Sequence, residues 1–567
     1  MAEHPWEHSF PAPARWDTPF EVSDISTILD TTVAKYPERP ALYFMGVRAT
    51  YAQFAALVDR AAAGFQRLGV GPGVHVGLYL PNTPHYPIAF FGILKAGGVI
   101  VNYSPLDAID VLAHKVHDSE THVLVTLDIP QLMPHALALA DVAPLRTLVV
   151  ANLTTDLGAF PHFSGVGDAS AVSPQARRLS FEDLLANDGA FTRAPIGDPA
   201  RALAAIQYTG GTTGLPKGAM LTHANLTAAT NQYYGTMHVE PKLLIEGTER
   251  VILVLPLFHI YALTSVMLLC IKNGNEMSLH PRFDAAAIVH DLVVNKTTMF
   301  YGVPTMYTAL VNFPAIAEMD FSALKYCASG GAPLPVEVGH AFARLTGCPI
   351  NEGWGMTETS PAGTFTPLRG KRKDGSCGIP VPGAEIRIVD VDNPSTIVAP
   401  GQRGEMVIKG PNVLAGYWKN PAATAESFNE DGFFRTGDVA YMDDDGFIFI
   451  VDRIKDMLLC GGFNVYPRNV EEAIYTHPSV AEVCVIGVKD PYRGETPKAF
   501  VVLKADHPPF TIDELREFLK NKLGKHEMVA QLEFRATLPK TAVGKLQKTV
   551  LVAEEAARTA TPSGVRG

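Results

Sequence analysis

The chain has 567 residues, 47% hydrophobic and 19% charged, which is too long for one hydrophobic core and excludes a disordered or fibrous protein. Its 47 Lys and Arg against 58 Asp and Glu leave a net charge of −11, and the absence of a long basic run argues against nucleic acid as a partner. Six scattered cysteines with no C-x-x-C pair argue against a zinc site or disulfide framework and fit a reducing cytoplasm.

The N-terminus, MAEHPWEHSF, lacks the apolar stretch of a signal peptide. Tyr51 to Leu68 has helical periodicity, with Phe54, Leu57, Val58, Ala61, Phe65 and Leu68 on one side and Gly69 as the stop. A strand is predicted over Val74 to Leu80, a helix over Ile88 to Ala96 and a strand over Val99 to Asn102. Strands alternating with helices predict an α/β architecture with parallel sheets. Another strand is predicted over Leu203 to Gln207, and a helix followed by a strand over 285–303.

Val251 to Ile271 contains no Asp, Glu, Lys or Arg across 21 residues, long enough to cross a bilayer. Pro256 and His259 interrupt it, so it reads instead as a buried strand, a PLFH loop and a buried helix ending at Lys272-Asn273-Gly274. From about residue 376, glycines punctuate short strands and predict a small β-rich subdomain. After Asp452 a separate mixed α/β piece begins, in which Thr511 and Glu514 have capping-box spacing. The predicted division is 1–452 and 453–567.

The run YTGGTTGLPKG, Tyr208 to Gly218, carries the strongest chemical signal. Small residues let the backbone wrap an anion, and successive N–H groups form a concavity for phosphate oxygens. Thr209, Thr212 and Thr213 add hydroxyls, Gly210, Gly211 and Gly214 add freedom, and Lys217 adds charge, so the pattern points to a nucleotide triphosphate. It is not a Walker A loop, since Pro216 precedes Lys217 and Gly218 follows it. Alone, it also fits a surface turn.

Four further motifs follow: NEGWGMTETS (Asn351 to Ser360), FFRTGD (Phe433 to Asp438), DRIKDMLLCGGFNVYP (Asp452 to Pro467) and LPKTAVGKLQK (Leu538 to Lys548). Trp354 between glycines can stack on a purine, and Glu358 offers an oxygen ligand to Mg²⁺, which shares its shell with substrate phosphates. Asp438 can accept two hydrogen bonds from a ribose diol, and Gly544 presents Lys545 from a loop. Each residue taken singly also fits a solvated acid or an exposed cation.

Together, in this order, the five motifs resemble the adenylate-forming superfamily of acyl-CoA synthetases, luciferases and peptide-synthetase adenylation domains. Within it the chain looks most like bacterial fatty-acid–CoA ligases, over about residues 25–552. The resemblance implies a large N-terminal domain of two α/β subdomains plus a β-barrel-like one, and a small mobile α+β C-terminal domain. It implies a two-step reaction. A carboxylate attacks the α-phosphate of ATP, giving an acyl-adenylate and diphosphate; coenzyme A then attacks the acyl carbon and AMP leaves. The match makes Lys545 the adenylation lysine, Glu358 and Thr209 the Mg²⁺ contacts, and Thr357 a phosphate-contacting hydroxyl. The loop from Thr209 to Lys217 would hold the phosphates. Asp438 and Arg453 would bind ribose, Gly330, Gly331 and Ala332 would lie along adenine, and Trp354-Gly355 would flank it. Lys455 stands at the hinge, Gly461 and Gly462 would admit the pantetheine arm, and His259 would sit beside the acyl group, though a lone histidine is equally at home in a core.

The acyl wall is expected from Phe258 to Leu263, Tyr301 to Thr305, Gly330 to Ala332 and Gly353 to Met356. These segments carry no Arg or Lys, which favours a medium- to long-chain monoacid over a short diacid. A longer dicarboxylic or aromatic acid, loading of a separate carrier protein, a luciferase-like oxygenase and a non-enzymatic acyl-nucleotide sensor are the competing readings. Pro539, Gly544 and Lys545 match the context in which related enzymes are silenced by a lysine acetyltransferase, since acetylation removes the charge. Peripheral membrane association without an integral span, and a monomer or homodimer, complete the expectations.

Overall fold

Apolar runs alternating with helices build two large sheets. The computed structural model describes residues 4–560 apart from 143, 154–169, 172–175, 210–215, 461–462, 506 and 542–543. Gly210, Gly211, Thr212, Thr213, Gly214, Gly461 and Gly462 therefore lie outside the described residues.

One sheet has seven strands, ordered Ile350–Glu352, Tyr326–Ser329, Met299–Gly302, Arg250–Leu253, Glu276–Leu279, Pro40–Phe44 and Val47–Thr50. All its pairs are parallel except the last hairpin. The second has nine strands, with Val99–Asn102, His75–Tyr79, Thr121–Leu127 and Thr147–Ala151 parallel at its centre and antiparallel pairs at its edges. Strands buried on both faces need no polar alternation, which is why these runs read as almost continuously apolar. The helix Tyr51–Arg67 starts on a Thr50–Gln53 capping box, and the helix His85–Ala96 is buried at every position.

The uncharged segment does fold as a strand, loop and helix. Its helix, Tyr261–Leu268, has π geometry before continuing as α-helix over Leu269–Lys272. Periodicity does not announce the wider turn, which is uncommon and frequent at functional sites. No helix among the described residues is long and apolar enough to cross a membrane.

The glycine-punctuated region forms a four-stranded antiparallel sheet of Glu385–Val389, Gly404–Lys409, Phe434–Met442 and Ile448–Arg453, beside the small ladder Thr364–Phe365 with Ile379–Pro380. One core joins these elements from Trp6 to Ile448. A separate core starts at Leu458 and packs the helices Pro467–Tyr475 and Ile512–Leu519 on a five-stranded sheet. This is a large N-terminal domain with a small C-terminal one. All six cysteines are free and buried.

Candidate active site

The ends of the seven-stranded sheet, the strands flanking the glycine-rich run and the C-terminal domain surround a cavity of about 1020 Å³. Among its lining residues are Thr209, Lys217, His259, Gly331, Ala332, Trp354, Gly355, Thr357, Glu358, Asp438, Arg453, Lys455 and Lys545. Every described candidate residue from the sequence thus meets at one place.

The strands Leu203–Thr209 and Lys217–Thr222, which flank the glycine-rich run, pair antiparallel. Thr209 and Lys217 are register partners, and Thr209 Oγ1 donates to the Lys217 carbonyl at 3.4 Å. The short strand Gly416–Tyr417 pairs with the second of these strands and delivers Tyr417 to the site. Lys217 Nζ lies 5.3 Å from the Tyr417 ring centroid, and the Tyr417 hydroxyl donates to Glu358 Oε1 at 2.9 Å. Glu358 is only 7% exposed, and burial pushes its carboxyl above the ordinary range despite that hydrogen bond. A buried carboxylate held by the Tyr417 hydroxyl and by its own backbone N–H keeps lone pairs for a divalent cation that fills its remaining shell with phosphate oxygens.

Asp438 and Arg453 face each other across an antiparallel ladder. Arg453 Nε lies 2.9 Å from Asp438 Oδ1, while Trp354 Nε1 donates to Oδ2 at 2.7 Å. Both oxygens are therefore already held, leaving their second lone pairs for a diol. The anchored N–H also fixes the orientation of the Trp354 ring, which motif reading treats only as a stacking surface. Burial pushes the Asp438 carboxyl up, against the pull of Arg453 and Trp354. Gly355 is required by close approach: a Cβ there would fall 1.4 Å from the Pro361 carbonyl oxygen.

Lys545 enters from the C-terminal domain. Its loop is clamped by Thr541, whose N–H donates to the Lys545 carbonyl at 2.7 Å and whose hydroxyl accepts from Lys545 N–H at 3.1 Å. Thr305 Oγ1 donates across the domains to the Gly544 carbonyl at 3.1 Å. The side chain passes over Gly331, where φ is +81° and a Cβ would come within 2.8 Å of Lys545 Cε. Burial, reinforced by the Arg453 guanidinium and opposed by Asp438, lowers the Lys545 ammonium to about 8. Burial, and then the Lys545 charge, lower His259 to about 3, so its imidazole is neutral at physiological pH.

The acyl wall differs from expectation in one respect. Each predicted segment reaches the cavity, though Phe258, Ala262, Leu263, Gly302 and Val303 do not line it, while Tyr233, Thr236 and Met237 of the helix His223–Met237, Ser265, Tyr326 and Asn351 also do. Tyr417, Thr541 and Glu352 were also missed. Glu352 stands inside NEGWGMTETS; it accepts from Leu334 N–H at 3.2 Å, and burial raises it to about 7. No spacing in the sequence marks these residues, because tertiary pairing brings them in.

Thr209 and Lys217 of the antiparallel pair, a buried carboxylate, an Asp–Arg pair and a lysine from a second domain converge on one cavity. Residues 29–418 match the family described as AMP-binding enzyme, and residues 469–545 match the AMP-binding enzyme C-terminal domain. The chain belongs to the AMP-binding enzymes. Among similar members, the long-chain-fatty-acid–CoA ligase of Bacillus subtilis (strain 168) is 37% identical, covering 98% of this chain and 99% of that protein. A feruloyl-CoA synthase of an Amycolatopsis species is 35% identical over 90% of this chain and 95% of that one. Among solved structures, ATP-bound MatB from Rhodopseudomonas palustris aligns with a TM-score of 0.82 at 28% identity, covering 94% of this chain and 99% of that one. The anthranilate CoA ligase AuaEII in complex with anthranoyl-AMP aligns with a TM-score of 0.85 at 25% identity, covering 96% and 99%.

Proposed function

We propose that this AMP-binding enzyme is an ATP-dependent acyl-CoA synthetase for medium- to long-chain fatty acids, working through an acyl-adenylate. The observation that carries the reading is Lys545 lying over Gly331, in the field of Arg453 and Asp438, where nucleotide and acyl ends of one cavity meet. The identity to fatty-acid–CoA ligases over nearly the whole chain supports the substrate class.

Adenylation concentrates negative charge between the carboxylate and the α-phosphate. Stabilising that charge with a fixed cation is the main task of such transfers. Lys545 supplies the cation, and its partial desolvation strengthens its pull. Glu358 and Thr209 hold the Mg²⁺ that arrives with ATP, and Thr357 and Lys217 contact phosphate oxygens. Asp438 and Arg453 hold the ribose, while Gly331, Ala332, Trp354 and Gly355 flank the base. His259, being neutral, borders the acyl carboxylate without adding a second charge.

We place the domain boundary at 452/453, supported by the separate cores ending at Ile448 and starting at Leu458. Rotation about Lys455 then withdraws Lys545 and admits coenzyme A past Gly461 and Gly462. Such motions often set turnover. The same withdrawal exposes Lys545 to an acetyltransferase, which the buried position in this orientation denies. The protein acts in the cytoplasm as a monomer or homodimer.

The test is release of diphosphate and AMP across a panel of carboxylic acids, with and without coenzyme A. AMP release that requires coenzyme A and peaks between C8 and C18 supports the reading. Each buried methylene contributes about 0.8 kcal/mol, so KM falls steadily until the cavity is full. Diphosphate release indifferent to coenzyme A assigns the acyl group to a carrier protein or to oxygen instead; a pocket accepting only acetate or malonate overturns the substrate class.

A further inference from the structure

Four tyrosines from four elements converge on the acyl side of the cavity. Tyr233 comes from the helix His223–Met237, Tyr261 from the π-helix, Tyr301 from the strand Met299–Gly302 and Tyr326 from the strand Tyr326–Ser329. The Tyr301 and Tyr326 rings lie 5.4 Å apart, and Tyr301 is within electrostatic reach of Tyr261 and Tyr233 as well. Tyr261 packs over Gly330, where a Cβ would approach its ring to 3.0 Å.

Tyr233 has Ser265 within hydrogen-bond reach, but the other three hydroxyls differ from those of the tyrosines in the deep core. Tyr51, Tyr86, Tyr103 and Tyr307 each hydrogen-bond to a carbonyl, amide or hydroxyl oxygen of the protein. Among the described residues, the hydroxyls of Tyr261, Tyr301 and Tyr326 have no hydrogen-bond partner in the protein. Ser329, on the same strand as Tyr326 and 3% exposed, also lines the cavity, and its Oγ is buried without a partner. Of these groups Ser329 Oγ is fully buried, whereas the tyrosine hydroxyls open onto the cavity, where a ligand that displaces water has to supply their partner. A purely alkyl chain would leave every one of these hydroxyls unpaired.

We propose that the acyl end of the cavity recognises an oxygen carried by the acyl group itself, a hydroxyl or carbonyl on its chain or ring beyond the carboxylate. The inference rests on the acyl-adenylate reading of the site and narrows its substrate class. Sites built to bond a substrate oxygen discriminate against analogues lacking it far better than apolar pockets discriminate by size. The aromatic walls also accept a flat ring, by offset or edge contacts.

The experiment compares matched acids on the full chain. Dodecanoate is set against a positional series of its monohydroxy and monoketo derivatives, and 3-phenylpropanoate against its 4-hydroxy derivative. Acid-dependent diphosphate release without coenzyme A gives kcat/KM, and calorimetric binding of each acid gives the same ratio where turnover is absent. At least one oxygenated acid is expected to exceed its parent by about tenfold, the worth of one good hydrogen bond. Tyr301→Phe and Tyr326→Phe are expected to bring that ratio toward one, whatever the absolute rates do. Parents equal to or better than their derivatives in every pair would overturn the proposal, as would an undiminished ratio in both variants. Diphosphate release without coenzyme A-dependent AMP would sink the thioester step alone and leave the pocket assignment to stand on the ratio.

Discussion

The two ends of the cavity are built on opposite rules. At the nucleotide end the reactive groups are held by the protein: Asp438 by Arg453 and Trp354, Glu358 by Tyr417, and the Lys545 loop by Thr541 and Thr305. At the acyl end polar side chains are brought together and left open. Charges that act on a transition state must be fixed in advance, because reorganising them during the reaction would cost what they contribute. Groups that read a substrate must keep a bond free for it. The nucleotide end is therefore a preorganised site and the acyl end a selective one.

Breaking the nucleotide end should give the largest effects. Lys545→Ala is expected to lower adenylation by about 10²–10³-fold, as for loss of other charge-stabilising groups. A preformed acyl-adenylate should still react with coenzyme A, and equal failure of both half-reactions, measured by rapid quench, would refute the two-orientation account. Gly331→Ala should come close behind. It adds a methyl against Lys545 Cε at a φ of +81°, and displacements near 1 Å cost about a hundredfold. Its signature is a fall in kcat for adenylation with the fold, followed by circular dichroism, unchanged.

A pH profile sharpens the same comparison. The protonated form of Lys545 is the active one, and its ammonium sits at about 8. kcat/KM for ATP, which reports the free enzyme, therefore falls about tenfold per unit above about 8. His259, near 3, adds no limb in that range. A profile flat to pH 10 would remove Lys545 from the role. The smallest effect belongs to Tyr417→Phe, which removes one hydrogen bond from Glu358. That bond is worth about 1 kcal/mol, so the Mg²⁺ concentration for half-maximal rate should shift several-fold while KM for the acid holds.

Much of this was legible in the sequence. Alternating apolar strands and helices gave the α/β class, and the strand Val99–Asn102 falls where the apolar run predicted it. The strand before the glycine loop runs two residues further than expected, to Thr209, because antiparallel pairing with Lys217 extends it. The nucleotide end was readable because its chemistry is local: glycines, threonines, a lysine and acids stand in short motifs. The acyl end was legible only in part: Tyr261 and Tyr301 stand in expected wall segments, but Tyr233 and Tyr326 lie on separate elements and look, one at a time, like ordinary core aromatics. Tyr417 escaped for the same reason, as a two-residue edge strand carries it in from 59 positions beyond Glu358.

The six buried cysteines carry a consequence for an enzyme that makes thioesters. An acyl-adenylate is a strong acylating agent, and a thiolate is its readiest acceptor. Thiols shut in apolar surroundings stay protonated and inert, and burial raises Cys270, Cys377 and Cys484 well above the ordinary thiol range; Cys348, lowered by its hydrogen bond with Cys327 and by Arg372, is buried and does not line the cavity. Even Cys460, on the strand Leu458–Cys460 of the C-terminal domain, is only 2% exposed. Cys377 lines the cavity but is held as the thiol, with burial pushing it up to about 12, so the first ready thiolate that the activated acyl group meets is the one delivered to it.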